Sequence, residues 1–359
     1  MDDTRINLEG LLLSYYIRYD KLLSLCNMTL SDISTNTVDI YVDIYDMLKP
    51  IYTRDVYANK KFLIVSSIIN LAAHLRGYFW SRHHLNTRIF LVYGESITMQ
   101  HKQFYPTFGD DKFRETMDFS NNDKFIHDQL EMVKILCGYI YDVYYVAKKS
   151  SFSMFTIDNI MKNPHIPSII ITKSKYAYQI PALLTNAKIF RPKKSKGDDT
   201  SYPINFSNVY SNFFNKITFK ETLEGLSKIS PSLLSLMMTL VGLPSYGIPN
   251  ILSVSAATKR VLDAIDSNRI VNGYNSDIDF VYKALNESRV FVNNMDTFIN
   301  ATSFKYRFNA IDILTQHRIY NSTAEAIDIS WMVNFNDPET MRNINNRYFI
   351  GNPLDLNNL

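Results

Sequence analysis

Between residues 38 and 190 the chain switches repeatedly between two hydrophobic periods. "TVDIYVDIYDMLKPIY" sets Val38, Ile40, Val42 and Ile44 on one face and Asp39, Tyr41, Asp43 and Tyr45 on the other, the period-2 pattern of a strand. "KKFLIVSSIINLAAHLRGYFW" then runs at helical spacing, and "TRIFLVYGES" is the near-continuous apolar run of a strand buried on both faces. The series goes on as helix "DKFIHDQLEMVKILCGY", strand "YIYDVYYVA" and helix "FSMFTIDNIMKN". "PSIIITKSKYAYQIPALL" is a strand running into a helix, and "AKIFRP" is a short strand. Neighbouring parallel strands need a crossover, and a helix between each pair supplies it. The pattern therefore predicts an α/β fold, a three-layer and mainly parallel sheet.

The flanks read differently. Residues 6–30 form an amphipathic helix, residues 100–124 a polar, basic-aromatic loop or arch, and "RPKKSKGDDTSYP" a solvated loop. From about residue 220 the pattern is helical, and no internal repeat is present. A length of 359 residues suits about two domains. Apolar content of 46% and charge of 20% belong to a globular protein with a real core. The start, "MDDTRINLEG", is acidic and has no apolar segment of the signal-peptide kind, and no apolar run is long enough to span a membrane. Cys26 and Cys137 are isolated and the histidines lack zinc spacing. The expectation is a cytoplasmic chain that is not secreted, in the host cytoplasm if viral, with no membrane partner. Abundant tyrosine, phenylalanine, asparagine, isoleucine and lysine suit an AT-rich, often viral, coding genome.

Four segments, in order, carry a resemblance. "YVDIYDML" has Asp43 where a first strand "VDGxxL" has its aspartate. "RIFLVYGES" stands at a second strand "VVFDG", followed by "KQFYPTFGDDKFR" at an arch entry "yyPxYKxxR". "SIIITKSKYAYQIPALLTNAKIFRPKK" matches strand–TGDKDxxQL–strand at Thr172, Lys175 and Gln179. About sixty residues on, "LVGLPSYGIPNILSVSAATKRVL" matches "GDxSDNIPGVPGIGPKTA" at Gly242, Ser245, Ile248, Pro249 and Thr258, with Lys259 beside them. The chain resembles the 5′-nuclease family of flap endonucleases and 5′–3′ exonucleases over roughly residues 38–265. The resemblance implies a PIN-like α/β domain and a helix–three-turn–helix module that grips duplex DNA. The implied organisation is an N-terminal helical extension (1–36), the PIN-like domain (37–220), the helical hairpin module (221–270) and a mainly helical C-terminal extension (271–359).

The chemistry implied by the family is not carried over with the frame. Two-metal phosphodiester hydrolysis needs carboxylates converging where the strands end. Here Tyr93 or Gly94 takes the second strand's aspartate position, and the acidic helix corresponds to Ser151, Phe152, Ser153 and Met154. Ser174 and Tyr176 replace the two aspartates of "GDKD", and Leu243 and Tyr246 those of "GDxSD". Asp43 alone stays in register. Asp39 shares its face but lies about 13 Å upstream, and Asp46 falls past the strand. Tyrosines 93, 176 and 246 are expected to fill the cleft, with Asp43 hydrogen-bonded to a hydroxyl or a backbone donor. No cofactor is expected. Mg²⁺ belongs only to a reading in which Asp43 and Glu95 rebuild a one-metal site.

The hairpin keeps more. Asn250, Ser253 and Ser255 stand where glycines would let backbone amides approach phosphate, and their side chains can donate in their place. Lys259 and Arg260 follow at the start of a helix whose N-terminus favours anions. Lys193 and Lys194 in the basic loop, and Lys102 and Arg114 in the arch, complete the candidate nucleic-acid contacts. A net charge of +3 makes any basic surface a local one. The resulting expectation is a catalytically inactive 5′-nuclease-like protein that binds duplex or branched DNA in viral, phage-type replication or recombination. A protein partner would use the N- and C-terminal extensions. The alternatives are a scaffold or interaction subunit of a viral complex or particle that touches no nucleic acid, and an active 5′ nuclease with a rebuilt metal site.

Overall fold

The computed structural model describes residues 36–44, 84–94, 119–137, 142–148, 151–172, 174–184, 186–190, 203–204, 233–243, 248–267, 281–283 and 301–323, with Asp279 and isolated helical positions from 65 to 80. The helix expected over residues 6–30, the arch, the basic loop and the C-terminal tail lie outside the described residues.

Six strands form one sheet in the order β3-β2-β1-β4-β5-β6. They are β1 (Thr37–Asp43), β2 (Asn86–Gly94), β3 (Val143–Lys148), β4 (Ser168–Ile171), β5 (Ala187–Phe190) and β6 (Pro203–Ile204). The first five pair in parallel, and β6 adds an antiparallel edge. From β1 at the sheet's centre the strands move outward through β2 and β3, and β4 returns to the other side of β1. The order reverses between β1 and β4, and open α/β sheets bind ligands at the carboxyl ends of strands beside such a reversal.

The alternation in β1 does not mark a solvent face. Every residue from Val38 to Asp43 is buried, because helices cover both faces of a central parallel strand. Asp39 is fully buried and stays there by pairing: its two oxygens accept from Arg88 Nε and Nη2, both at 2.7 Å. The Tyr41 hydroxyl donates to the same carboxylate at 3.2 Å and itself accepts from Asn159 Nδ2 at 2.8 Å. The carboxylate holds the Arg88 guanidinium above its ordinary pKa, and burial pushes the Tyr41 phenol up. Asp39 is therefore spent on the sheet's interior.

On the sheet pack α1 (Phe119–Cys137) and α2 (Phe152–Lys162), with buried Val65, Ile68, Ala72, Leu75 and Phe79 at helical spacing. Helix α1 begins at Phe119, inside the stretch read as loop. Helix α2 starts at Ser151, whose Oγ accepts from Met154 N at 3.2 Å. A short helical turn (Tyr176–Tyr178) leads into α3 (Gln179–Leu183).

The helical part comprises α4 (Leu234–Val241), α5 (Val254–Asp266), α6 (Ala301–Ile311) and α7 (Ile313–Thr323). All eight residues of α4 are buried, so it forms the centre against which α3, α5 and α6 pack. Phe304, Phe308, Ile311 and Ile313 join the same core, while α7 packs on α2. Among the described residues no helix is long and apolar enough to cross a membrane.

Candidate functional site

The carboxyl ends of β1, β2 and β4 bring together Asp43, Tyr93 and Thr172. The register pairs Asp43 with Val92 and Val42 with Ile171, so Tyr93 and Thr172 each follow at the sheet's edge of the site. Asp43 is buried, and its Oδ2 accepts from Thr172 Oγ1 at 2.9 Å. The hydroxyl is aimed by a local turn, since Thr172 Oγ1 also accepts from Ser174 N at 3.0 Å. Ser151 and Ser153, at the start of α2, are buried, and Tyr176 is 2% exposed. Tyr93 is half-buried, and Tyr246 lies outside the described residues. Of the expected filling by three tyrosines, the structure shows a buried Tyr176 and a hydroxyl bonded to Asp43.

Two-ion chemistry needs several converging anionic oxygens. Among the described residues no group of three or more His, Cys, Asp or Glu side chains could hold a metal ion. Asp43 with the Thr172 hydroxyl supplies one anionic group beside a neutral one, and Mg²⁺ dehydrates reluctantly for so little charge. The described donor set does not fit a divalent pair. Glu95, the other carboxylate considered, lies outside the described residues.

A hub that sequence reasoning overlooked lies just behind this site. The Gln179 side chain joins three segments. Its Oε1 accepts from Ser235 Oγ of α4 at 2.7 Å and from Ile313 N at 3.1 Å. Its Nε2 donates to Ile311 O at 2.9 Å and to Tyr176 O at 3.3 Å. Ile311 and Ile313 flank the break between α6 and α7, so the amide stands in for a peptide partner where the helix is interrupted. Asp312, at the break, caps α7 by accepting from Thr315 N at 2.9 Å and Thr315 Oγ1 at 2.8 Å. The only sequence signal for this hub was the motif match at Gln179 itself.

Helices α4 and α5 form the expected hairpin. Gly242 ends α4 with φ +82, a left-handed conformation, and its amide donates to Met238 O at 2.8 Å. A Cβ there would lie 2.5 Å from Pro249 O, so only glycine fits. Leu243 and Ile248 exchange backbone hydrogen bonds, and Leu240 O accepts from Ile251 N and Leu252 N, both at 3.0 Å. Ser253 caps α5, its Oγ accepting from Ala256 N at 3.3 Å and lying 3.3 Å from Ser255 Oγ. Ala257, Thr258, Val261 and Ala264 face the core, whereas Ser253, Ser255 and Lys259 are exposed. Ser255 and Lys259 are four apart and share one face. Arg260 is half-buried on the flank. Lys193, Lys194, Lys102 and Arg114 lie outside the described residues, so the hairpin rim is the one candidate contact surface the structure places.

The architecture has a counterpart among solved structures. The flap endonuclease of bacteriophage T5, solved as a pseudo-enzyme–product complex with DNA and metal ions, aligns at a TM-score of 0.51 and 11% identity, over 82% of this chain and 96% of that one. The fold is that of the 5′-nucleases. Two further T5 structures, one co-crystallised with metal ions and one of the 5′-exonuclease with zinc bound, align at TM-scores of 0.49 and 0.46, each at 11% identity. They cover 78% and 79% of this chain and 90% of theirs. No protein-family model and no curated protein sequence matches the chain.

Proposed function

We propose that this 5′-nuclease-like chain is a catalytically silent DNA-binding protein, acting on duplex or branched DNA in the replication or recombination of a viral, phage-type genome. The observation that carries the reading is the contrast between its two sites. The hairpin keeps its left-handed glycine, its cap and an exposed Ser253, Ser255 and Lys259 rim, whereas the described strand ends keep Asp43 alone, bonded to a hydroxyl. The neighbour in the DNA complex is a phage protein, which supports the viral setting and the DNA ligand. A protein partner at the terminal extensions would recruit the chain to its site of action.

The test is binding to flap, nicked and duplex DNA across a salt series, with and without Mg²⁺. Binding without cleavage is expected, and Lys259→Glu should weaken it on every sequence alike while flattening the salt dependence. Cleavage abolished by Asp43→Ala would favour a rebuilt nuclease, and absence of binding at low salt would favour the scaffold alternative.

A further inference from the structure

Arg307 is a buried cation that reaches the hairpin from outside it. It sits on α6, 2% exposed, and its guanidinium donates from Nε to Thr239 O at 2.6 Å and from Nη2 to Pro249 O. Thr239 O is one of the last carbonyls of α4, which have no partner within their own helix. A guanidinium there satisfies that group and opposes the negative end of the helix dipole. Pro249 O is the same carbonyl against which Gly242 is pressed. Two independent features thus hold the Pro249–Asn250 peptide with its oxygen inward.

In a trans peptide the C=O and N–H point in opposite directions. With the Pro249 oxygen turned in, the Asn250 amide is turned out, toward the surface where Asn250, Ser253 and Ser255 are exposed. The amides of Val254 and Ser255 also open from the first turn of α5. We propose that Arg307 is a positioning residue for this amide-lined turn. It touches no phosphate itself, and it fixes the peptide whose amide, with the start of α5, meets the DNA backbone. The proposal rests on the DNA-binding reading and adds to it a dependence on the helices after residue 300. The bidentate grip also selects arginine, because a lysine is a point donor that cannot span both carbonyls in a fixed fork.

The experiment compares Arg307→Met and Arg307→Lys with the native chain, using DNA affinity against salt and amide hydrogen exchange over residues 249–257. Arg307→Met should lose affinity about tenfold, the scale of one charge-assisted hydrogen bond, with the salt slope unchanged. Arg307→Lys should fall between the two, and exchange at Ile251 and Leu252 should quicken in the same order. Loss of about one unit of slope would mean that Arg307 meets phosphate directly, and native affinity in either folded variant would mean that it positions nothing; both overturn the proposal. Should Arg307→Met fail to fold, the lysine variant decides alone. Should the native chain bind no DNA, the functional reading fails, while exchange over 249–257 still upholds or refutes the hold on the turn.

Discussion

A carboxylate at the end of a central strand needs donors, and the Thr172 hydroxyl at 2.9 Å is one that Asp43 receives. The arrangement resembles neither an open acid awaiting an ion nor an apolar plug. The hydroxyl is oriented by Ser174 N, so it arrives pre-aimed, and Tyr176 is packed beside the same turn. Thr172→Val keeps the shape and removes the donor. We expect a stability loss of about 1–3 kcal/mol, the cost of leaving a buried polar group short of a partner. Urea unfolding at neutral pH measures it, with Thr172→Ser as the variant that restores the hydroxyl. Equal midpoints for valine and threonine would show that Asp43 does not depend on this bond.

At the scale of elements, the α6–α7 break is closed by a side chain from another part of the fold. Gln179 supplies both the acceptor for Ile313 N and the donor to Ile311 O, while bonding Ser235 on α4. Gln179→Leu would fill the volume and leave these buried groups unpaired, an expected loss of about 2–4 kcal/mol, whereas Gln179→Glu keeps the acceptor side. Thermal melts of the two variants check this; a leucine variant as stable as the native chain would mean that the break is held by packing alone. The elements themselves were legible in the sequence because periodicity reports burial directly: β1 to β5 and α2 carry their pattern locally, while the α4–α5 hairpin was read from its motif match. Gly242 was marked by the same motif match, and its positive φ was not read from the sequence. The pairings of Gln179, Arg307, Asp158 and His317 were not legible, because each works through a partner more than fifty residues away, and a single sequence carries no sign of such pairing. Asp39 was read only as a distant acid for the same reason: its partner, Arg88, is on the next strand.

For the whole molecule, the described connections from the helices after residue 300 to those flanking the sheet include the Gln179 hub and an ionic contact between α2 and α7. In the second, Asp158 accepts from Lys162 Nζ at 2.7 Å and lies 3.2 Å from His317 Nε2, which also meets Asn321 Nδ2 at 3.2 Å. Burial alone would raise the Asp158 carboxyl, but the hydrogen bonds from His317 and Lys162 outweigh it and hold the group below the usual carboxylate range. A depressed folded value means that the unfolded chain takes up the proton first. The contact's stabilisation is therefore complete above about pH 4, the ordinary aspartate value, and is lost as pH falls from there through the folded value. Comparing the native chain with Asp158→Asn by urea unfolding across an acid pH series isolates it. The difference in midpoint should hold steady down to about pH 4 and shrink with further acid. A difference that persists unchanged at lower pH, or that widens, would mean that α7 is held on α2 by packing and that the carboxylate adds no pH-dependent closure.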